Sequence, residues 1–320
     1  MVASMIELRI LVAVDDAPRV LELVCEDRSV GNVAHFPGAA HRPHGDVIIC
    51  DVAGEDASEL ITELRNLGIQ HQGSIVVKSI DAEVSDAAEQ AERATPGHAS
   101  DAVVWEGLEA RTSQAAELTP DYMLLMMLAT LIAMAGIFLN TSILLVGAMI
   151  VGPDFGPIAG VSVALGQRQW RQAGRSLIAL LIGFPTAIAI TYLATLALRA
   201  VGVVPVHFTR VDHSVASAIA HPGFFSLFVA LLAGIVGMRS LSTAKSGALI
   251  GVLVSVTTIP AAASIAVAIA YDHGTTARES ITELAINIGG LLVASTLTLL
   301  LQKARYLRRR TAHHRPSPSS

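Results

Sequence analysis

The apolar residues of this chain follow two different patterns, and the change between them falls near residue 120. Before it, short apolar runs alternate with amphipathic segments; after it, six apolar stretches are long enough to cross a bilayer. The stretches lie at about 122–139, 142–166, 176–204, 223–238, 246–271 and 281–301, and the fourth is short. This pattern predicts an α-helical polytopic membrane domain of about six spans over residues 121–304.

The first part of the chain has the alternation of a small α+β domain. Strand-length runs are "IELRILVAV", "VGNVAHF", "DVIICDVA" and "GSIVVKSID", with amphipathic helices in "DDAPRVLELVCED" and "DASELITELRNLG". The order βαββαβ predicts a ferredoxin-like domain over residues 1–80. Residues 81–120 are interpreted as a linker with an amphipathic helix. Cys25 and Cys50 stand in apolar contexts, which predicts buried thiols and no disulfide or metal site.

Composition and charge support this division. The chain is 52% hydrophobic and only 15% charged, which is typical of an integral membrane protein. Residues 1–120 carry 21 Asp and Glu against 8 Lys and Arg, and the remainder carries 6 against 14. An acidic soluble module argues against nucleic-acid binding. Cationic residues cluster in "QRQWRQAGR", in "RSLSTAKS" and in the tail, so the positive-inside rule predicts that both termini are cytosolic. The membrane is expected to be the plasma membrane. Residues 305–320 are interpreted as a basic disordered tail.

The second predicted span is interrupted by "GAMIVGPDFGPIAG", residues 147–160. Pro153 and Pro157 predict a broken or re-entrant helix, which is tolerated at membrane depth only where protein or water covers it. Asp154 between them is costly in lipid and should face a cavity, a partner or a helix end.

The fifth span repeats this theme. Residues 247–250 echo residues 147–150, and Pro260 follows two hydroxyl residues. Three spans plus three spans with paired broken helices are features of inverted-repeat transporters. The alternative is that Gly and Pro only allow close packing or kinks.

Other polar residues are weaker candidates. Asn287 in the sixth span should meet another helix or a cavity, and Thr257 and Thr258 either repair the backbone freed by Pro260 or offer oxygens to a cation. The connections predicted to face outward hold four histidines, a weak candidate metal site: His207, His213, His221 and His273. Neither HExxH nor GxSxG occurs in the sequence, so we expect no enzyme and no cofactor.

Several segments resemble one family of prokaryotic polytopic membrane proteins. They are "LLVGAMIVGPDFGPIAGVSVALG", "LFVALLAGIVGMRSLSTAKSGALIGVLVSVTTIPAAASIAVAIAYD" and "ELAINIGGLL". Together they are similar, over about residues 120–301, to the uncharacterised hydrophobic domain family, domain-of-unknown-function family 389. The resemblance implies a membrane protein with a small soluble domain ahead of its spans, and it supplies no substrate. The positions that match the family motif are Gly147, Pro153, Gly156, Pro157, Pro260 and Asn287.

The chain departs from the family pattern at two positions. The family usually has an apolar pair where Asp154-Phe155 stands and a double proline where Ile259-Pro260 stands. The resemblance therefore implies that Asp154 is peculiar to this sequence.

The sequence favours a permease or channel for a small ion or solute, regulated or assembled by its cytosolic domain. Its expected partners are the lipid bilayer and further copies of itself in a homo-oligomer. The alternative is a membrane-anchored sensor or scaffold that transports nothing. The predicted ion or solute pathway comprises Gly147, Pro153, Asp154, Gly156, Pro157, Thr257, Thr258, Pro260 and Asn287.

Overall fold

The computed structural model describes residues 5–54, 56–80, 83, 85–94, 105–115, 117–205, 223–242 and 257–313. The chain divides into two compact units, Met1–Leu108 and Glu109–Ser320. Each unit is described by itself below.

The first unit is built on a four-stranded antiparallel sheet. Its elements are β1 (Met5–Val12), α1 (Ala17–Glu26), β2 (Val30–His41), β3 (His44–Ala53), α2 (Ala57–Asn66), the short α3 (Ile69–Gln72), β4 (Ser74–Ser79) and α4 (Asp86–Ala94). The sheet order is β2-β3-β1-β4, with β1 pairing antiparallel to both β3 and β4. The predicted alternation of strands and helices is therefore present.

The core of this unit comes from the alternating positions of β1 and β3 and from one face of each helix. Leu8 and Ile10 of β1, Ile48 of β3 and Leu60 of α2 are fully buried in one cluster. Because side chains alternate across a strand, burial at every second position fixes which face of the sheet carries the helices.

Two details differ from the sequence prediction. Strand β2 continues to His41, past the end of the predicted strand run "VGNVAHF" at Phe36, and pairs with β3 as a hairpin arm. Cys50 is buried as predicted, but Cys25 is exposed. The residue lies on α1 one position beyond the buried Val24, and about 100° of helical rotation carries it off the buried face.

The second unit is helical. Its helices are α5 (Trp105–Ala115), α6 (Pro120–Phe138), α7 (Ser142–Val151), α8 (Phe155–Gln167), α9 (Trp170–Val201), α10 (Phe224–Ser242), α11 (Thr258–Ala270) and α12 (Gly274–His313). Helix α6 starts at Pro120, and the hydroxyl of the preceding Thr119 accepts a hydrogen bond from the backbone N–H of Tyr122.

Four of these helices are long and apolar enough to cross a membrane: α6, α9, α10 and residues 274–304 of α12. Helices α7 and α8 together make a fifth candidate span, bent by 46° at its break. Helix α11 has 13 residues and is too short to cross alone; residues 246–256 of the predicted fifth span lie outside the described part. The protein is thus a membrane protein with four or five candidate spans among its described residues, and the sixth span stays a prediction.

Some predicted limits move because helices run past the apolar stretch. Helix α9 already begins at Trp170, so Arg171 and Arg175 lie within it instead of in a loop. Helix α12 begins at Gly274, ahead of the predicted start of the sixth span at residue 281. Polar residues near the ends of long helices do not stop the backbone hydrogen bonding, and hydropathy alone therefore misplaces such ends.

Contacts between helix ends show which ends share a side of the bundle. Lys303 Nζ donates to the Gly166 carbonyl at 3.0 Å, which joins the ends of α12 and α8. Arg199 Nη1 donates to the Ala270 carbonyl at 2.9 Å, which joins the ends of α9 and α11. These bonds place the C-terminal parts of α8 and α12 together, and those of α9 and α11 together.

Candidate functional site

The break in the second candidate span is a short turn between two apolar helices. Helix α7 ends at Val151, Gly152 is extended, and α8 begins at Phe155 with Pro157 as its third residue. Proline is tolerated there because the N–H groups of the first helical turn have no intrahelical acceptor. The break therefore follows directly from the proline positions.

Asp154 lies in this turn and is 5% exposed. Its Oδ2 accepts a hydrogen bond of 2.5 Å from Thr258 Oγ1, across 104 positions of sequence. Thr258 is the first residue of α11, so the bond connects the break in one span to the start of another helix. The carboxylate of Asp154 is thus turned into protein and away from lipid, as its cost in hydrocarbon requires.

A second carboxylate lies beside the neighbouring threonine. Thr257 Oγ1 donates to Glu283 Oε1 at 3.2 Å, and Asn287 Nδ2 donates to the same oxygen at 3.1 Å and to Thr257 Oγ1 at 3.0 Å. Glu283 and Asn287 are one turn apart on α12 and are 3% and 2% exposed. Adjacent hydroxyls at the start of α11 therefore contact two different carboxylates. We call Asp154, Thr257, Thr258, Glu283 and Asn287 the polar cluster.

Close packing holds the break against α11. A Cβ atom added at Gly152 would lie 2.6 Å from Ile259 Cγ1 and 3.4 Å from Asp154 Oδ1. Ile259 follows Thr258 and is 1% exposed. The absence of a side chain at Gly152 thus allows the approach that brings Asp154 to Thr258.

The polar cluster holds two carboxyl groups without a basic neighbour among the described residues. Among the residues that the structure describes, no Lys, Arg or His lies within ion-pair distance of Asp154 or Glu283. Within the same residues, Glu283 Oε2 is buried and has no hydrogen-bond partner. An ionised carboxylate held in this way carries a large desolvation cost.

Two cavities in the helical unit are lined by residues that the structure describes. One, of about 370 Å³, adjoins the break and is lined by Gly152, Pro153, Phe155 and Gly156 on one wall and by polar residues such as Glu117 on another. The other, of about 610 Å³, is an apolar groove between α9, α11 and α12. The first cavity reaches the turn that carries Asp154, and the surfaces that line both cavities are mostly apolar.

The remaining predicted pathway residues fall into two groups. Pro153 and Gly156 line the smaller cavity, and Pro157 and Pro260 are buried, each as the third residue of its helix. Gly147 lies on α7, where an added Cβ would meet no atom within 4 Å. Gly147 is therefore apart from the polar cluster.

The predicted histidine site falls mostly outside the described residues. His207, His213 and His221 lie there, and His273 is exposed just before α12. No group of three or more His, Cys, Asp or Glu residues suited to a metal ion occurs within the described part of the chain.

The sequence prediction missed Glu283. It lies inside the predicted sixth span, one helical turn before Asn287, and an acidic residue in a span is by itself a functional signal. Its proximity to Asn287 on a common helix face was the available clue, since residues i and i+4 are neighbours on a helix.

Comparison with known proteins confirms the family resemblance. Residues 149–293 match the model of the family described as a domain of unknown function, DUF389. An uncharacterised protein of Methanocaldococcus jannaschii is 26% identical to the chain over 150 residues, which cover 46% of this chain and 43% of the relative. The chain thus matches less than half the length of that curated relative. No solved structure matches the chain.

Proposed function

We propose that this membrane protein is a permease or channel for a small ion or solute. The family that it matches has no assigned activity. The proposed pathway passes the break between α7 and α8 and the start of α11. The soluble unit regulates the pathway or drives assembly.

The polar cluster is the observation that carries this proposal. A charged residue at the centre of a membrane helix costs about 3 kcal/mol, and such residues commonly mark ion or solute pathways. Here two carboxylates, two hydroxyls and an amide are gathered in the interior of the helical unit.

The paired short helices also support transport. Both α8 and α11 are 13 residues long and carry a proline at their third residue. Helix α8 packs on both α9 and α12, and α11 packs on both α12 and α9, so each short helix contacts the long third helix of both halves. These matching contacts are compatible with a 3+3 inverted repeat, and we propose that arrangement for the six spans.

The smaller cavity supplies space next to the proposed pathway. Its lining residues include Gly152, Pro153 and Gly156 of the break and the polar residues Thr112, Gln114, Glu117 and Asp121, although most of the lining surface is apolar. A cavity of about 370 Å³ is at the small end of ligand pockets, which suits an ion or a small solute.

We also propose a ferredoxin-like soluble domain, cytosolic termini in a plasma membrane and a homo-oligomer. The element order and the antiparallel β2-β3-β1-β4 sheet support a ferredoxin-like soluble domain. The alternating cationic segments support cytosolic termini in a plasma membrane, and exposed apolar side chains on the spans are compatible with lipid and with a homo-oligomer. Crosslinking in native membranes tests the oligomer.

Flux through the purified, reconstituted chain tests the function. Liposomes containing the wild type should release or accumulate at least one member of a panel of small ions and solutes faster than empty liposomes. Asp154→Asn and Thr258→Val should change that flux, because they alter the contact between the break and α11. Thr191→Val is the matched control: it removes an equally buried hydroxyl that bonds Thr130 on another pair of helices.

The rival function gives a different result. A sensor or scaffold would show no flux for any member of the panel above empty liposomes, or the same flux in Asp154→Asn, Thr258→Val and the control.

A further inference from the structure

We propose that the polar cluster binds a monovalent cation, Na⁺ or H⁺, with Glu283 as its anionic ligand. This inference rests on the proposed function and names the class of ion at its site. It starts from an acidic side chain that the sequence pattern did not single out.

Glu283 is a buried acidic residue with one carboxyl oxygen that has no partner among the described residues. The side chain is 3% exposed, its Oε1 accepts two hydrogen bonds, and its Oε2 has no partner among the described residues. A buried ionised carboxylate is retained when it is paired or binds a cation, and otherwise it takes up a proton. Either a proton or a metal cation removes the same charge, and the free oxygen is the place for it.

No basic side chain of the described residues forms an ion pair with Glu283 or Asp154. Helices α7, α8 and α11 carry no titratable side chain at all. On the long helices packed against α11, α6 carries Asp121 and Tyr122, and α9 carries Arg171, Arg175, Tyr192 and Arg199. Arg199 bonds the carbonyl of Ala270 at the opposite end of α11, and Lys303 of α12 bonds the carbonyl of Gly166. Arg278 and Glu279 lie five and four residues before Glu283 on α12.

The oxygen atoms of the polar cluster determine which class of cation it can bind. Carboxylate and hydroxyl oxygens favour hard cations over the softer transition metals. Mg²⁺ and Ca²⁺ take six or more oxygen ligands, and no set of three metal-binding side chains occurs among the described residues, which favours a cation of single charge. The two carboxylates are held by different threonines, Asp154 by Thr258 and Glu283 by Thr257. Both hydroxyls stand at the start of α11, so one cation-dependent shift there is felt at both carboxylates and at the break.

Thermal unfolding of the detergent-purified full chain tests the binding. A cation that binds only the folded protein raises the melting temperature by mass action, with an increase that continues as the concentration rises. The titration compares NaCl with choline chloride at constant ionic strength, and the choline series is repeated from about pH 5 to about pH 8. A rise with Na⁺ identifies sodium, and a rise on acidification in choline with no response to Na⁺ identifies the proton.

Glu283→Gln is the diagnostic variant, and Glu279→Gln is its matched control on the same helix. The glutamine amide fills the same space as the carboxylate of Glu283 but carries no charge. We expect Glu283→Gln to lose the cation response while melting, in the absence of the cation, at or above the wild-type temperature, because no buried charge remains to be neutralised. Glu279→Gln should keep the response.

Two results would overturn the inference. One is a wild-type melting temperature that changes with neither Na⁺ nor pH, and the other is a cation response that Glu283→Gln retains in full, whatever the stability of that variant. Solute flux in liposomes without cation binding would reject this inference alone. Cation binding without any flux would reject the proposed function and leave the site.

Discussion

Replacing Gly152 by alanine tests whether close packing at the break creates the polar cluster. The backbone at Gly152 has φ −65° and ψ 124°, which any residue adopts, so the substitution adds no backbone strain. The added Cβ would lie 2.6 Å from Ile259 Cγ1 and 2.9 Å from Ile259 Cδ1, about 1 Å inside a normal carbon contact. Ile259 is fully enclosed, so it cannot simply swing aside.

The expected cost follows from that overlap. Overpacking a buried contact typically costs about 1–3 kcal/mol, and about 2–4 °C of melting temperature accompanies each kcal/mol in a domain of this size. We therefore expect Gly152→Ala to melt about 2–12 °C below the wild type in a thermal unfolding assay of the purified full chain. Gly147→Ala, earlier on α7, meets no atom within 4 Å and should melt at or slightly above the wild type, since alanine favours a helix over glycine.

A double variant identifies the contact. Ile259→Ala alone should destabilise the protein by about 2–5 kcal/mol, because it leaves a cavity. In Gly152→Ala/Ile259→Ala the new methyl occupies part of that cavity, so the combined loss should be smaller than the sum of the two single losses by about 1–3 kcal/mol. Equal melting of the two alanine variants at positions 152 and 147, or strict additivity in the double variant, would refute the packing argument.

Three further predictions concern other parts of the chain. A maleimide should label Cys25 quickly and Cys50 hardly at all in the folded protein, because burial raises the pKa of the Cys50 thiol to about 12. Mass spectrometry after timed labelling measures both labelling rates, and equal rates would contradict the burial of Cys50. A backbone N–H and a histidine bond the carboxyl of Asp46 and hold its pKa below the ordinary value of 3.8. Their contribution to stability is therefore present above that pH and is lost as pH falls through the lower pKa of the folded state. Asp46→Asn should reduce the loss of stability at low pH, measured by hydrogen exchange of β2 and β3, and an unchanged loss would argue against the pairing. Gly234→Ala should lower the melting temperature, because its added Cβ would lie 2.7 Å from a side chain of α12. Gly289→Ala meets open space and should leave the melting temperature unchanged. Equal melting temperatures of the two variants would mean that α10 and α12 do not pack in this register.

Local patterns were enough to predict much of the fold. Alternating burial in β1 and β3 and the 3.6-residue period of α1 and α2 are properties of short segments, and the predicted order of elements in the soluble unit is found. The break between α7 and α8 was also predictable, since Pro153 and Pro157 constrain their own backbone. Cys25 was misplaced because the edge of an amphipathic face depends on the rotation of the helix.

The geometry of the candidate site needed the structure. Asp154 and Thr258 are 104 positions apart, and no local rule pairs them. Glu283 lies in an otherwise apolar span, and its meaning appears only when Thr257 and Asn287 are seen to contact one of its oxygens and leave the other without a partner in the described residues. Long-range contacts of this kind depend on tertiary packing, which a single sequence does not encode in any periodic pattern.

Charge movement across a reconstituted membrane tests the central claim most directly. Liposomes carrying the full chain are adsorbed on a solid-supported membrane and exposed to a jump in Na⁺ or in pH, and the transient current is recorded. A cation pathway through the polar cluster predicts a current in the wild type and in Thr191→Val, and none in Glu283→Gln. A wild type without current, or a Glu283→Gln current equal to that of the wild type, would contradict the account.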